Sequence, residues 1–158
     1  MTLQAVEKQF STLKDKEIIV GITGGIAAYK TADLVRQLTK KGANVHVVMT
    51  KNAMEFVTPL TFQTISGNPV IHKMFELFAG SKIGHITLSD IADQLVIVPA
   101  TANIIGKVAN GIADDFLSTM VMATTVPVFF VPSMNTKMWS SKMVQANIEK
   151  LKDAGYEL

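Results

Sequence analysis

Small polar residues follow two apolar runs in this sequence, and their types point to a bound phosphate. Thr23-Gly24-Gly25 comes directly after the run 17–22, and Thr50-Lys51-Asn52 comes after the run 44–49. Glycine lets the backbone approach a ligand closely, and free N–H groups at a helix start suit a phosphate. The alternatives are a tight turn without a ligand at the glycines and a helix cap at Thr50.

A later segment has room for a ring system. Residues 99–103 read Pro-Ala-Thr-Ala-Asn, so small hydroxyl and amide residues replace bulky ones where a buried strand opens into a helix. A ring with polar edges fits there. The alternative is that Thr101 only caps the helix.

Residues 132–139, PSMNTKMW, place an amide beside apolar side chains. Asn135 can hydrogen-bond a carboxylate or carbonyl group with defined geometry. Met134, Met138 and Trp139 are able to wall an apolar pocket. Because Met and Trp at helical spacing more often belong to a core, we interpret Met138 and Trp139 as structural.

His85 follows a glycine and precedes a helical turn, which makes it a candidate acid or base. A structural or surface role is the alternative. His46 and His72 receive no functional interpretation. The three histidines lack the spacing of metal ligands, so no metal site is predicted.

The glycine turn excludes two common nucleotide motifs. Its spacing is not GxGxxG, and no GKS or GKT follows. After the run 44–49 there is no acidic residue to bind a ribose hydroxyl, which argues against NAD.

Composition narrows the function classes further. The net charge is +2 without a long basic run, so nucleic acid is not an expected partner. There is no cysteine, which excludes disulfides, thiolate zinc sites and a thiol nucleophile within this chain. Only 18% of the residues are charged against 48% apolar, so we expect another subunit to cover part of the surface.

The amino-terminal residues lack the pattern of a secretory signal, and a reducing, cytoplasmic location is expected. Residues 116–136 carry no charge and are long enough to span a bilayer. Two prolines and several Ser and Thr residues interrupt them, so we predict a buried strand there and no membrane contact.

Apolar runs alternate with helical patterns along the chain, which predicts a doubly wound, Rossmann-like parallel sheet in one α/β domain. Residues 1–16 are predicted to be an amino-terminal helical extension, with an apolar stripe from Leu3 to Leu13, and residues 17–158 the domain proper. Strands are predicted at 17–22, 44–49, 94–98 and 128–131, and helices at 26–41, 53–66, 87–92, 102–110, 115–123 and 141–154. Residues 67–84 are mainly loop, with a short strand at Val70-Ile71. Ligands in such folds lie beyond the carboxyl ends of the strands.

Five segments together resemble a known family. GITGGIAAYK (21–30), VVMTKNA (47–53), GHITLSDIAD (84–93), VPATANIIGKVANGIADD (98–115) and PSMNTKMW (132–139) are similar, in this order, to the flavin-containing cysteine decarboxylases. TPLTFQTISGNPV (58–70) resembles the branch that acts on phosphopantothenoylcysteine in coenzyme A biosynthesis. The resemblance runs from about residue 17 to the end.

The resemblance implies an FMN-binding subunit that forms homo-trimers, in bacteria often four trimers in a dodecamer, with the cofactor near a subunit contact. By position, it implies that His85 is the active-site histidine, and that Asn135, beside Met134, holds the substrate carboxylate. The implied cofactor-binding residues are Gly24, Gly25 and Ile26 at the flavin phosphate, Thr50, Lys51 and Asn52 in the second loop, Thr101, Ala102, Asn103 and Ile104 along the flavin, and Ser133.

The implied reaction is an oxidative decarboxylation of a small cysteine-containing substrate. A cysteine carboxylate has no electron sink, so the flavin first oxidises the thiol to a thioaldehyde, whose C=S bond accepts the electrons left by carbon dioxide. The product is an enethiol, which the phosphopantothenoylcysteine branch reduces to phosphopantetheine. That branch protonates the enethiol with a cysteine from a mobile lid, and this sequence has no cysteine. The sequence is either a trimmed domain or a natural short form; if the polypeptide ends at residue 158, we expect decarboxylation without return to the saturated thiol.

Other functions stay open. One is a peptidyl-cysteine decarboxylase of lantibiotic maturation, and another is a non-catalytic, FMN-binding regulatory subunit. A flavin prenyltransferase is disfavoured by the PSMNTKMW segment. The least specific alternative is a doubly wound domain that binds some other phosphate ligand.

Overall fold

A computed structural model describes residues 12–73 and 85–158 of the chain. The predicted helix from Leu3 to Leu13 lies almost wholly outside these residues, and residues 12–15 form a turn. The elements in chain order are β1 (Glu17–Ile22), α1 (Ala28–Lys40), β2 (Asn44–Met49), a 3₁₀ helix (Lys51–Glu55), α2 (Pro59–Ser66), α3 (His85–Ile91), β3 (Gln94–Ala100), α4 (Ala102–Ala109), α5 (Phe116–Ala123), β4 (Val128–Pro132), α6 (Thr136–Trp139) and α7 (Lys142–Asp153).

The strands form one parallel sheet in the order β2-β1-β3-β4. The single residue Ile71 pairs with Val48 beyond β2, and Glu157 pairs with Phe129 beyond β4. The predicted parallel α/β fold is confirmed. The predicted strand at Val70-Ile71 is reduced to one bridging residue.

Helices pack against both faces of the sheet. Alternate residues of β1 point to opposite faces, so Ile18 and Val20 join one core cluster and Ile19 joins the other. α1 and α2 lie on the first face, and α3, α4, α5 and α7 supply residues to the second. Continuous apolar runs such as EIIVGI arise because central parallel strands are covered on both sides.

One part of the first face is covered incompletely within the described residues. Phe129 is half-buried and Val131 is 46% exposed, although their neighbours Val128 and Phe130 are buried on the opposite face. Among residues 12–73 and 85–158, helices therefore cover both faces of the sheet at β1, whereas at β4 they cover one face.

Several predicted boundaries shift. Residues 53–66, predicted to be helical with a new turn at Pro59, are divided between a 3₁₀ helix and α2, because Pro59 starts a new helix after the extended Thr58. α6 was not predicted, since four residues are too few to show a periodicity. The uncharged stretch 116–136 is divided between α5 and β4. Within the ranges 12–73 and 85–158, no helix has the length and apolar character needed to cross a bilayer.

The chain order of the strands creates a switch point between β1 and β3. The connection after β1 runs to β2 on one side, and the chain then returns past β1 to build β3 and β4 on the other. Loops leaving β1 and β3 diverge there and open a crevice at the carboxyl ends of the strands. Ligand-binding residues are therefore expected among those that follow each strand.

The buried Phe62 of α2 gives a test of this packing. It is fully buried in the cluster between α1, α2 and the sheet, so Phe62→Ala should lower the free energy of unfolding by about 3–5 kcal/mol. Phe56→Ala is the matched control, because Phe56 is 49% exposed and should cost less than about 1 kcal/mol. Urea denaturation followed by circular dichroism measures both. Equal losses for the two variants would contradict the assigned core.

Candidate functional site

A cavity of about 870 Å³ lies at the switch point, beyond the carboxyl ends of all four strands. This volume is within the range of small-molecule and cofactor sites. Its lining residues are Thr23, Gly24, Gly25, Ile26, Thr50, Lys51, Asn52, Thr101, Ala102, Asn103, Ile104, Lys107, Asp114, Asp115, Ser133, Met134, Asn135 and Met138. The structure therefore brings together every predicted cofactor-binding residue, and both Met134 and Asn135.

The loops after β1 and β2 are in tight contact at one end of the cavity. A Cβ atom built on Gly24 would lie 2.5 Å from Asn52 Cβ, so this position requires glycine. The Thr50 amide donates to the Ile22 carbonyl at 3.0 Å and ties the two loops together. The Thr50 hydroxyl accepts from the Ala53 amide at 3.3 Å, which confirms the predicted cap while Thr50 also lines the cavity.

This end of the cavity is suited to an anion. α1 begins without a side-chain cap, and among the described residues no hydrogen-bond partner is found for the amides of Gly24, Ile26 and Ala27. Lys51 lines the same cavity and, within the described ranges, is its one cation outside an ion pair. Backbone N–H groups at a helix start together with an ammonium favour a phosphate.

A buried hydroxyl joins the loops after β1 and β3. Thr23 is 3% exposed, and its Oγ1 lies 2.6 Å from the Pro99 carbonyl oxygen and 3.2 Å from Thr101 Oγ1. The Thr101 amide also donates to Thr23 Oγ1 at 3.1 Å. Thr101 occupies the N-cap position of α4, but its side chain makes no capping hydrogen bond, so the side-chain cap given as the alternative is not formed.

Asn135 begins α6 and is held by its own cap. Its Oδ1 accepts from the Lys137 amide at 2.8 Å. This contact sets the amide orientation, so the two Nδ2 protons are left to donate to another group. Because Asn135 lines the cavity, it can present a neutral donor pair to a carboxylate there.

A lysine and two aspartates form an ion-pair network on the cavity wall. Lys107 Nζ lies 2.6 Å from Asp114 Oδ1 and 2.9 Å from Asp115 Oδ2. Burial lowers the pKa of Lys107, but the hydrogen bonds to the two aspartates outweigh it and hold that pKa above its ordinary value. The ammonium is thus kept charged and neutralised by its partners.

Asp115 also starts α5 through a reciprocal cap. Its Oδ1 accepts from the Ser118 amide at 2.8 Å, and its own amide donates to Ser118 Oγ at 3.1 Å. Burial raises the pKa of Asp115, but the bonds from Ser118 and Lys107 outweigh that and leave the pKa below its ordinary value. Asp115 therefore supplies both a negative charge to the ion pair with Lys107 and the cap that starts α5.

Apolar side chains surround the mouth of the cavity. Ile26 is 72% exposed, Met138 49% and Trp139 42%. The interpretation of Met138 and Trp139 as core residues is wrong: Met138 lines the main cavity and Trp139 an adjoining hollow of about 410 Å³. The four residues of α6 leave these side chains at the surface instead of folding them inward.

The structure describes the side chain of His46 but not that of His85. His85 is the first residue of α3, and its side chain lies outside the described part of the chain. His46 Nε2 lies 2.7 Å from Glu17 Oε2, near the amino ends of the strands and away from the cavity. Within residues 12–73 and 85–158, no group of His, Cys, Asp or Glu side chains could hold a metal ion.

Five residues of the cavity were not predicted as site residues: Thr23, Lys107, Asp114, Asp115 and Met138. Lys107 and both aspartates belong to the segment 98–115 on which the family resemblance rests, so the motif contained a signal for them. Their contact depends on how α4 and α5 pack, which residue types alone do not reveal. Thr23 was visible only as the start of the glycine turn.

Proteins with this strand order bind nucleotide-like ligands in the crevice beyond the strand ends, and the chain falls into that class. Comparison with known families identifies one family within this class. The family model described as Flavoprotein matches residues 7–158. The chain belongs to the Flavoprotein family.

Curated relatives and solved structures agree with this membership. The coenzyme A biosynthesis bifunctional protein CoaBC of Vibrio vulnificus (strain YJ016) is 48% identical over 147 residues, which is 93% of this chain and 37% of that protein. The chain therefore spans little more than a third of the length of that relative.

Two solved structures share the fold over most of the chain. The FMN-dependent cysteine decarboxylase SpaF is 32% identical, with a TM-score of 0.85 over 92% of this chain and 84% of that one. A cysteine-to-serine variant of PPC decarboxylase, complexed with pantothenoylaminoethenethiol, is 30% identical, with a TM-score of 0.77 over 90% of this chain and 80% of that one.

The network at Asp115 gives a pH-dependent prediction. Asp115→Ala removes the cap of α5 and should lower the free energy of unfolding by about 1 kcal/mol near neutral pH. Asp115→Asn keeps a capping oxygen and removes the charge. Because the folded pKa of Asp115 lies below its unfolded value, the stability that its charge contributes is present above about pH 4 and is lost as the pH falls through the folded pKa.

Urea denaturation at neutral and acidic pH measures these differences. The gap in stability between wild type and Asp115→Asn should close in acid. Asp114→Asn is the control, since Asp114 is 59% exposed and caps no helix. A gap that stays constant as the pH falls would contradict the role assigned to the charge.

Proposed function

We propose that this chain is an FMN-dependent decarboxylase of phosphopantothenoylcysteine, acting in coenzyme A biosynthesis. The observation that carries the proposal is the convergence of the loops after all four strands on one cavity, with an anion-binding end and the amide of Asn135. Membership of the Flavoprotein family and the 48% identity to a CoaBC protein support it.

The residues of the cavity fit FMN. In sheets of this strand order FMN lies at the switch between β1 and β3, where the cavity is found. The amides of the glycine turn and Lys51 would hold the phosphate, and Thr101, Ala102 and Asn103 leave space along the ring. Bound FMN supplies a two-electron acceptor for the substrate thiol.

Asn135 would hold the substrate carboxylate through its two Nδ2 protons. A neutral amide binds the carboxylate without a positive charge that would stabilise it against loss of carbon dioxide. Among the described lining residues Lys107 is the second ammonium, and its pairing with Asp114 and Asp115 prevents it from taking that role. His85 would act as the acid or base, because an imidazole titrates near neutral pH.

The choice of substrate rests on the relatives. The bifunctional CoaBC protein has the higher sequence identity, whereas SpaF, a cysteine decarboxylase, superposes with a higher TM-score than PPC decarboxylase does. A peptidyl-cysteine decarboxylase is therefore the second candidate. Peptides that end in cysteine, compared with phosphopantothenoylcysteine as substrates, distinguish the two.

The proposal includes a homo-oligomer, either a trimer or a dodecamer made of four trimers. Its support is the exposed apolar surface at Ile26 and Tyr29, beside the cavity and at the start of α1, which are 72% and 58% exposed. Sedimentation of the FMN-loaded protein measures the subunit number. A cytoplasmic location stays a prediction from the sequence.

The proposed function predicts the product of this 158-residue polypeptide. FMN-loaded protein given phosphopantothenoylcysteine should release carbon dioxide and accumulate an enethiol, since no cysteine of the chain can protonate it. The cysteine-to-serine PPC decarboxylase that holds pantothenoylaminoethenethiol supports this expectation. Mass spectrometry and the absorbance of the enethiol provide the measurement. Protein that binds no FMN, or that leaves the carboxylate intact, would refute the function, and the saturated thiol as product would refute the stopping point.

Asn135→Asp tests how the carboxylate is held. Aspartate preserves the oxygen that accepts from the Lys137 amide, so α6 should keep its start, but it replaces the two donors by a negative charge. We expect FMN binding to persist and kcat/KM to fall by about 30-fold or more, the cost of unpairing a carboxylate in a site.

Asn147→Asp is the matched control for this change. Asn147 lies on α7, outside the cavity lining, and contacts Asn110. It should leave kcat/KM unaltered. If Asn135→Asp turned over like the control, Asn135 would not be the carboxylate-binding residue.

A further inference from the structure

Lys107 belongs to α4 and lines the cavity together with Asn103, which lies one helical turn earlier. In an α-helix the Cα–Cβ bonds tilt toward the amino terminus, so the Lys107 side chain leans back toward the helix start beside β3. That side chain is 19% exposed. A cation is therefore placed on the wall of the cavity in which the proposed function decarboxylates an acid.

Two aspartates from the loop before α5 bind this ammonium. Lys107 Nζ lies 2.6 Å from Asp114 Oδ1 and 2.9 Å from Asp115 Oδ2. Asp115 has a second task, because its Oδ1 caps α5. Asp114 caps no helix, and its side chain is 59% exposed. An ion pair with so exposed a carboxylate contributes little to the free energy of unfolding, so stability alone does not account for the contact of Asp114 with Lys107.

The network joins one positive charge to two negative charges, so its net charge is negative. An unpaired ammonium forms short, strong hydrogen bonds with a carboxylate that it can reach. Because two protons of Lys107 are directed to the aspartates, the ammonium is poorly placed to bind a carboxylate in the cavity. The charge of this cation is already neutralised by carboxylates of the protein itself.

The chemistry of decarboxylation gives a reason for such neutralisation. When carbon dioxide leaves, the carbon–carbon bond breaks and its electron pair passes to the C=S bond of the oxidised substrate. The negative charge thus moves off the carboxylate. A cation bonded to the carboxylate stabilises the reactant more than the transition state, and this raises the barrier. A neutral amide such as that of Asn135 orients the carboxylate without this effect.

We propose that Asp114 and Asp115 are positioning residues that keep the Lys107 ammonium from binding the substrate carboxylate. The inference rests on the proposed function for the identity of the substrate, and it assigns a role to the ion pairs within that site. They set the balance between tight binding of the acid and release of carbon dioxide. Removal of the two negative charges turns Lys107 into a carboxylate-binding residue.

Two unreactive ligands measure this effect by isothermal titration calorimetry on the FMN-loaded protein. Phosphopantothenoylalanine keeps the carboxylate but has no thiol, and phosphopantothenoyl-ethylamine lacks the carboxylate as well. The double variant Asp114→Asn/Asp115→Asn keeps the oxygen that caps α5 and removes both charges. It should bind the alanine ligand about tenfold more tightly, through one charge-assisted hydrogen bond, and bind the ethylamine ligand like wild type.

Turnover of phosphopantothenoylcysteine provides a second measurement. In the double variant both KM and kcat should fall, kcat by about tenfold, because the freed ammonium stabilises the bound acid and not the transition state. A structural disturbance of α4 and α5 would instead weaken both unreactive ligands and would not lower KM. The combined change in KM and kcat therefore distinguishes an electrostatic role of the aspartates from a structural one.

Lys107→Met, added to the double variant, identifies the group responsible. Methionine keeps an unbranched apolar side chain without the charge, so the gain in affinity for the alanine ligand should disappear. Glu149→Gln is the matched control, since Glu149 is bonded to Lys152 at 2.8 Å on α7, outside the cavity lining. It should alter neither ligand affinity nor kcat. If the double variant does not fold, Asp114→Asn alone decides the question by a gain of affinity confined to the alanine ligand.

The outcomes separate this inference from the proposed function. Wild-type protein that binds no FMN, or that does not decarboxylate phosphopantothenoylcysteine, refutes the proposed function, and the inference fails with it. With that function intact, the inference alone is overturned if the variant without the aspartate charges binds the alanine ligand no better than wild type does. It is also overturned if the affinities for both ligands change together, or if the gain persists after Lys107→Met.

Discussion

The site depends on one physical constraint: parallel strands deliver their carboxyl ends to the same edge of the sheet, and backbone groups there must find partners. Three cross-strand contacts meet this need. The Thr50 amide bonds the Ile22 carbonyl, the Thr23 hydroxyl bonds the Pro99 carbonyl, and the Ser133 amide bonds the Ala100 carbonyl. Each contact joins the loop of one strand to the end of its neighbour. The loops that line the cavity are therefore held by hydrogen bonds to the sheet, although loops are usually the most mobile parts of a protein.

Charge is distributed unevenly around the cavity, and the distribution agrees with the proposed chemistry. Lys51 lies beside the uncapped start of α1, where an anion is stabilised. On another part of the wall, Lys107 is neutralised by two aspartates. Asn135 adds a neutral donor pair whose direction is set by the Lys137 amide. A phosphate is thus favoured beside Lys51, whereas a substrate carboxylate at Asn135 would meet a neutral amide, and the ammonium of Lys107 is paired with Asp114 and Asp115.

Much of the fold was predictable from the sequence because its strands are buried on both faces. EIIVGI and NVHVVM could be identified as strands to the residue, since short segments rich in Val and Ile favour strands. The predictions were less successful for elements that are too short to show a periodic pattern of apolar residues. α6 has four residues, and its Met138 and Trp139 were assigned to the core although both are exposed. The cap at Thr50 was predictable from residue type, whereas the absence of one at Thr101 depends on the competing contact with Thr23.

By itself, the sequence determined which residues follow the strands and that they are small, polar and suited to a phosphate and a ring, because strand pattern and residue type are local properties. It also contained the motifs that place the chain in the Flavoprotein family. Only the tertiary structure decided that these residues share one cavity, that Lys107 is paired with Asp114 and Asp115, and that Thr23 lies against Thr101. The physical reason is that Thr23 and Thr101, which follow the neighbouring strands β1 and β3, are separated by 78 positions in the chain. Their contact is a product of strand order and register, which no local pattern encodes.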